Sequence, residues 1–159
     1  MKEYKTSNIR NVAVLGHMGS GKTSMGEALL FVTKAIDKKG EVERKTTVGD
    51  YSLEEQNRQT TLMSSLLPCE WKNNKINFLD TPGSEEFIGD ISNVLSVADG
   101  AVVLIDATKG VEVGTERVWE ELSNRKIPTI IFVNKMDKEN VKFDEVIDSI
   151  TSKLSKNAT

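Results

Sequence analysis

Short runs of β-branched and aliphatic residues alternate along this chain with longer stretches whose apolar positions recur every three or four residues. The first kind of run suits a strand buried on both faces, and the second suits a helix that turns one stripe toward a core. Residues 11–15 (NVAVL) predict the first strand, and behind it Met25, Ala28, Leu29, Val32 and Ile36 fall at helical spacing. Residues 62–71 and 75–79 predict two more strands, joined near Asn73 and Asn74 in a hairpin turn. Phe87, Ile91, Val94 and Leu95 restart the helical period. Residues 101–105 and 129–133 predict two further strands on either side of a helix over 113–124, and Phe143, Val146, Ile147, Ile150 and Leu154 mark a last helix. Strands and helices that alternate in this way build a mostly parallel sheet covered on both faces, so residues 1–159 predict a single α/β domain.

One stretch breaks the pattern. Residues 38–61 are polar and nearly patternless, long for a connection inside a compact domain, which predicts a functional loop with poor order. The composition narrows the class without naming it: 159 residues, 38% apolar and 28% charged, belong to one ordinary globular core. With 21 Lys and Arg against 24 Asp and Glu, the net charge of -3 supplies no basic field, so no DNA partner is expected and any RNA contact must be local. Cys69 is the single cysteine and residues 1–10 are too polar for the core of a signal peptide, which predicts a reducing cytoplasm. The longest apolar runs, such as 101–105, fall far short of the ~20 residues of a membrane-spanning helix, so no membrane partner is expected. There is no repeat and no low-complexity tract.

The chemistry is concentrated in three short motifs. Gly16-His17-Met18-Gly19-Ser20-Gly21-Lys22-Thr23 fits the phosphate-loop pattern of Gly, four residues, then Gly-Lys-Ser/Thr, set between a strand and a helix as that pattern requires. Glycines let the backbone wrap a phosphate with its N–H groups turned inward, the helix N-terminus adds positive potential, and Lys22 can reach the β and γ phosphates. Thr23 offers a hydroxyl to Mg²⁺, and Ser24 closes the candidate phosphate-binding set. Asp80-Thr81-Pro82-Gly83 follows the strand at 75–79, where α/β sheets place ligand groups beyond the carboxyl ends of their strands. A carboxylate at Asp80 can hold Mg²⁺ through a water, and the N–H of Gly83 can sense a γ-phosphate. Asn134-Lys135-Met136-Asp137 follows the strand at 129–133. The carboxylate of Asp137 can accept from guanine N1–H and the 2-amino group, donors that adenine does not present, so GTP and GDP are expected as ligands ahead of ATP. A P-loop kinase or ATPase is the competing class, and Asn134 and Asp137 argue against it.

With these motifs in order, the chain resembles the translational GTPases, and within them the elongation factor G branch. NIRNVAVLGHMGSGKTSMGEALLF, NFLDTPGSEEF, ADGAVVLIDATKGVEVGTERVWE and FVNKMDKENVKFDEV carry the resemblance, which runs over residues 8–154. It implies the three-layer fold of a P-loop GTPase, here without the last strand and helix of a complete G domain. It also implies the ribosome as partner, a first switch at about 38–62 and a second at about 80–92. GDYSLEEQNRQTTL is similar to the family's first switch, which puts a Mg²⁺ ligand at Thr61, so that Thr23, Thr61 and Asp80 form the expected metal set. Lys22, Thr61, Gly83 and Ser84 then occupy the catalytic positions. γ-Phosphate and Mg²⁺ are expected to order both switches and hydrolysis to release them.

Three departures from the family pattern qualify that expectation. Gln59 and Thr60 replace a Gly-Ile pair ahead of Thr61. Ser84 stands where the family has a water-orienting histidine, which predicts slow hydrolysis with intact GTP binding, or a GTP-dependent ribosome-binding module, unless Glu85 or Glu86 substitutes. Gly19 replaces an acidic residue, which puts a monovalent-cation site in doubt. His17 matches the family and is expected to be structural, while Met18, Trp71 and Trp119 are expected to pack in or against the core. The strand at 129–133 is expected to form a sheet edge open to pairing with another copy.

Overall fold

In the computed structural model, which describes residues 2–84 and 88–156, the β-branched runs become one five-stranded sheet. The strands are β1 (Ile9–Gly16), β2 (Ser65–Trp71), β3 (Asn74–Asp80), β4 (Gly100–Asp106) and β5 (Thr129–Asn134), in the order β2-β3-β1-β4-β5. β1 pairs in parallel with β3 and β4, and β4 with β5, while β2 runs antiparallel to β3. The antiparallel pair follows from its two-residue turn, in which Lys72 and Asn73 take φ of 46° and 62° and Trp71 pairs with Asn74. Positive φ at both turn residues matches the strand twist. The turn therefore falls one residue earlier than the two asparagines indicated.

Side chains alternate across each strand, and both faces of the central strands are covered. Ala13, Leu15, Ala101 and Val103 face α3 (Ile88–Leu95) and α4 (Val113–Arg125), meeting Ile91, Val94, Leu95, Val118 and Leu122. Ile105 continues that layer toward α5 (Phe143–Lys153), where Val146 and Ile150 close over it. On the opposite face Val14, Leu67, Phe78 and Leu104 pack with Leu30 of α1 (Lys22–Val32), and the free thiol of Cys69 is buried among them. A layer of helix on each side of a mostly parallel sheet is the α/β architecture that the periodicity predicted. Phe87, placed at the start of the third helical period, lies outside the described residues.

β5 is the outermost strand beyond β4 and is covered on one side only. Ile131 and Val133 pack toward α5, whereas Ile130 is 69% exposed and Phe132 45%. Trp119 packs against the α3 and α4 layer as expected. Trp71 does not join the core: it ends β2 at the hairpin tip and stays 47% exposed. Among the described residues no helix is long and apolar enough to cross a membrane.

These differences in cover translate into stability. Leu104→Ala, which empties a fully buried site between β4 and α1, is expected to destabilise the fold by about 2–5 kcal/mol, while Ile130→Ala on the uncovered side of β5 should change it by under ~1 kcal/mol. Urea denaturation midpoints of the two variants at equal slope measure both effects.

Candidate functional site

The loops that leave the carboxyl ends of β1, β3, β4 and β5 meet at one edge of the sheet. β1 runs into residues 17–21 and then directly into α1, whose N-cap Gly21 has φ +98°. A side chain at Gly21 would run into the amide of Asn134, so the loop and the end of β5 are in contact there. That contact is polar: Asn134 Nδ2 donates to Ser20 O at 2.9 Å. Lys135 reaches the same loop, with Nζ 2.7 Å from Gly19 O and 2.7 Å from Asp106 Oδ2. Asp106, the last residue of β4, also accepts from Thr108 N at 3.0 Å and Thr108 Oγ1 at 2.6 Å. Burial alone would raise the Asp106 carboxyl, but hydrogen bonds from Lys135 and Thr108 outweigh it and hold the group below its usual range.

The opposite wall of the groove is carboxylate and hydroxyl. Asp80 ends β3 fully buried, and neither of its oxygens makes a well-formed hydrogen bond to the described residues, the Thr23 hydroxyl and the Thr81 N–H lying near it. Burial pushes it up to about 7, against the pull of the Lys22 ammonium. Lys22 is itself buried, which pushes it down to about 8 in spite of Asp80 and Asp50, and its Nζ curls back onto Gly16 O at 3.0 Å and His17 O at 3.2 Å. Thr23 Oγ1 lies 3.0 Å from Thr61 Oγ1, and Thr61 Oγ1 donates to Asp50 Oδ1 at 2.8 Å. Burial raises the Asp50 carboxyl, the Thr61 hydrogen bond opposing it. Gly83 crosses so near the phosphate loop that a Cβ there would lie 2.5 Å from Lys22 Nζ and 2.7 Å from Met18 Cα. Lys22, Thr23, Asp50, Thr61, Gly83 and Lys135 thus line one groove of about 290 Å³, with exposed Ser24 on its rim.

The remaining expected residues fall around this groove in different ways. Asp137 and Met136 are exposed in the turn after β5. His17 packs at the start of α4 beside Gly114, its Nε2 3.5 Å from Glu112 Oε1. Met18 is 50% exposed on the rim and does not pack in the core, because the loop that carries it arches over the groove. Ser84 lines a separate, largely apolar cavity of about 200 Å³ with Ile91 and Val118. Glu85 and Glu86, the neighbours offered as substitutes for Ser84, lie outside the described residues.

The long polar loop is more structured than its composition predicts. Glu27 of α1, 1% exposed, accepts the N–H of Gly40 at 2.9 Å and of Val48 at 2.5 Å. Beyond them α2 (Leu53–Arg58) begins with a capping box between Ser52 and Glu55 and ends at Gln59, whose φ of 52° is left-handed. Asp50, Asp106, Glu27 and Glu55 escaped the sequence reading. Asp50 and Glu55 lie inside the GDYSLEEQNRQTTL stretch, and Asp106 ends an apolar strand run, but their partners are backbone groups or distant residues that the sequence does not name.

Comparison with known proteins decides what the groove is. The family described as the elongation factor Tu GTP binding domain matches residues 7–159. The chain belongs to this family, that of the translational GTPases. Mitochondrial ribosome-releasing factor 2 of Drosophila pseudoobscura pseudoobscura is 41% identical over 149 residues, covering 94% of this chain and 20% of the relative. That of Drosophila willistoni is 39% identical over 154 residues, 97% of this chain and 21% of the relative. A crystal structure of a Thermus thermophilus protein superposes with a TM-score of 0.87 at 37% identity, over 92% of this chain and 22% of the other. The chain therefore spans about a fifth of the length of these relatives. A GTP-binding domain of this family binds a guanine nucleotide.

Gln59 bears directly on this site. A non-glycine residue in the left-handed region is disfavoured by about 1 kcal/mol, so Gln59→Gly is expected to stabilise the chain by up to ~1 kcal/mol after the added freedom of the unfolded glycine is deducted. Thermal unfolding at fixed pH checks this, with a rise in midpoint expected.

Proposed function

We propose that this chain is the nucleotide-binding part of an elongation factor G-like translation factor that binds GTP with Mg²⁺ and hydrolyses it, at a rate slowed by Ser84, to drive ribosome-linked conformational change, its nucleotide state deciding the order of two switches at about 38–62 and 80–92. The observation that carries the reading is the meeting of Lys22, Thr23, Thr61 and Gly83 around one groove, with Asp80 buried beside Lys22 and Thr23 and with Asn134 and Lys135 bonded to the back of the same phosphate loop. In this reading the backbone from Gly16 to Thr23 cradles the phosphates, Lys22 leaves its carbonyl partners for the β and γ phosphates, and Asp137 reads the guanine edge.

Mg²⁺ fits the residues present. It is a hard cation that takes oxygen ligands and keeps several waters, and Asp80 presents two buried carboxylate oxygens without a well-formed hydrogen bond, beside the Thr23 hydroxyl that pairs with Thr61. Among the described residues no group of three or more His, Cys, Asp and Glu side chains gathers to hold a metal, so the nucleotide phosphates would complete the shell. When bound, the ion would neutralise charge on the phosphates. The chain's own residues hold the loop, orient the hydroxyls and, at Gly83, keep the backbone close enough to feel a γ-phosphate.

Slow hydrolysis rests on Ser84. A serine can neither carry an imidazolium's charge nor reach as far, and here it faces a cavity beside the groove. A GTP-dependent ribosome-binding module that turns over poorly is the second reading, favoured by the same residue. The ribosome as partner is supported by the relatives named as ribosome-releasing factors. The buried free thiol of Cys69 fits a reducing compartment, for which we infer the cytoplasm, although those relatives are mitochondrial proteins.

Titration calorimetry with Mg²⁺ is expected to show binding of GTP and GDP and none of ATP, and Asp137→Asn should lower the preference for guanine over adenine by about tenfold or more. No heat with either guanine nucleotide, together with an unchanged purine preference in the variant, sinks the reading. In single-turnover assays with ribosomes, Ser84→His should speed hydrolysis by on the order of a hundredfold, and a variant no faster than the parent removes Ser84 as the cause of slow turnover.

A further inference from the structure

The loop that carries Thr61 is tied together by one buried side chain. Glu55 is 2% exposed, although its neighbour Glu54 is open to solvent. Its Oε1 accepts the N–H of Leu62 at 3.0 Å and of Met63 at 3.2 Å, immediately after Thr61. Its Oε2 accepts from Ser52 N at 3.2 Å and Ser52 Oγ at 2.7 Å, at the start of α2. Other bonds close the same segment: Thr61 Oγ1 to Asp50 Oδ1 at 2.8 Å, Gln56 Nε2 to Asp50 O at 3.3 Å, and Thr60 N to Glu55 O at 3.2 Å. Every one of these partners lies between residues 50 and 63.

The stretch ahead of this segment is held by a different carboxylate. Glu27 belongs to α1 and grips Gly40 and Val48, so the chain is fixed to the body of the domain up to residue 48. It is fixed again from Ser65, where β2 begins. Residues 50–63 therefore form an internally bonded unit between two anchored points, with short connections at Gly49 and Ser64.

We propose that Glu55 is a positioning residue that presents Thr61 to the nucleotide, so that residues 50–63 approach and leave the groove as one tied unit instead of unravelling. This deepens the guanine-nucleotide reading and rests on it. The carboxylate acts through the backbone: by holding Leu62 and Met63 it sets the chain direction at Thr61, and that direction puts the Thr61 hydroxyl 3.0 Å from that of Thr23. Glutamate suits this task because two acceptor oxygens on a long stem reach both ends of the segment at once. Glutamine keeps one acceptor for Leu62 and Met63 but turns an N–H₂ group toward the N–H of Ser52.

Because Thr61 belongs to the triphosphate state, loss of Glu55 is expected to weaken a GTP analogue and spare GDP. The test measures fluorescent GDP and fluorescent non-hydrolysable GMPPNP on the 159-residue chain with Mg²⁺, for the parent, Glu55→Ala, Glu55→Gln and Ser52→Ala. Glu55→Ala leaves two backbone N–H groups unpaired and should weaken GMPPNP by about tenfold or more, with GDP within about twofold of the parent. Glu55→Gln and Ser52→Ala should keep most of the GMPPNP affinity. Equal losses for both nucleotides in Glu55→Ala, or no loss for either, overturn the proposal, as does Ser52→Ala matching Glu55→Ala. If the alanine variant does not fold, Glu55→Asp takes its place, since its shorter stem cannot reach from Ser52 to Leu62 and Met63: selective loss of GMPPNP supports the proposal, and loss of neither nucleotide, or of both equally, overturns it. A parent chain that binds neither nucleotide overturns the guanine-nucleotide reading itself, an outcome distinct from all of these.

Discussion

The parallel pairing of β1 with β3 and β4 is the constraint on which the rest of this structure depends. Its register sets Val14 beside Asp80 and Gly16 beside Leu104, while β4 brings Asp106 level with Asn134 on β5. Parallel strands all end at the same side of a sheet, so residues far apart in sequence arrive together without any direct attraction between them. Shift that register by one residue and Asp80 would point to the other face, away from Lys22. The helices on both faces help hold the register by burying the carboxyl-terminal half of β1 and most of β4, which is why those stretches read as nearly continuous apolar runs.

At that edge the protein stores an electrostatic imbalance. Asp80 and Lys22 are both buried, and burial works against the charged form of each, which drives the carboxyl up and the ammonium down toward one another. Asp80 makes no well-formed hydrogen bond among the described residues, and Lys22 bonds only to backbone carbonyls. A phosphate chain with a cation answers both deficits at once, offering anionic oxygens to Lys22 and positive charge to Asp80. Perturbed groups converging in a groove are the physical mark of a binding site. Here the mark coincides with the family of the chain.

The two sides of the groove are held by different devices. On the β5 side, Asn134 and Lys135 bond directly to the loop after β1, and Asp106 pairs with Lys135, so that loop and the end of β5 are tied into one unit. On the switch side no strand is available, and carboxylates of Glu27 and Glu55 take the place of a sheet ladder by accepting backbone N–H groups. Such bonds satisfy buried donors without giving the segment a core of its own. A segment held this way can be ordered and still leave, because few apolar contacts resist its release.

Much of this was legible in the residues themselves. Strand and helix periods place all five strands and the helices on both faces, and the three motifs mark Lys22, Thr23, Asp80, Gly83, Asn134 and Asp137 as candidates, because glycine spacing, a terminal carboxylate and an Asn-Lys-x-Asp turn each carry their chemistry locally. The resemblance to the translational GTPases added Thr61. What could not be read was set by distance and by the backbone. Glu27 and Glu55 bond to N–H groups that every non-proline residue carries, so no partner residue type betrays them. Asp106 and Asp50 matter only once Lys135 and Thr61 arrive from elsewhere. The left-handed turn at Gln59 and the exposure of Trp71 depend on how a helix ends and what covers an edge. Composition and period determine which residues face a core and which motif can grip a phosphate. Only the folded chain decides which buried acceptor meets which donor, because that choice is made by contacts between segments whose sequences carry no record of one another.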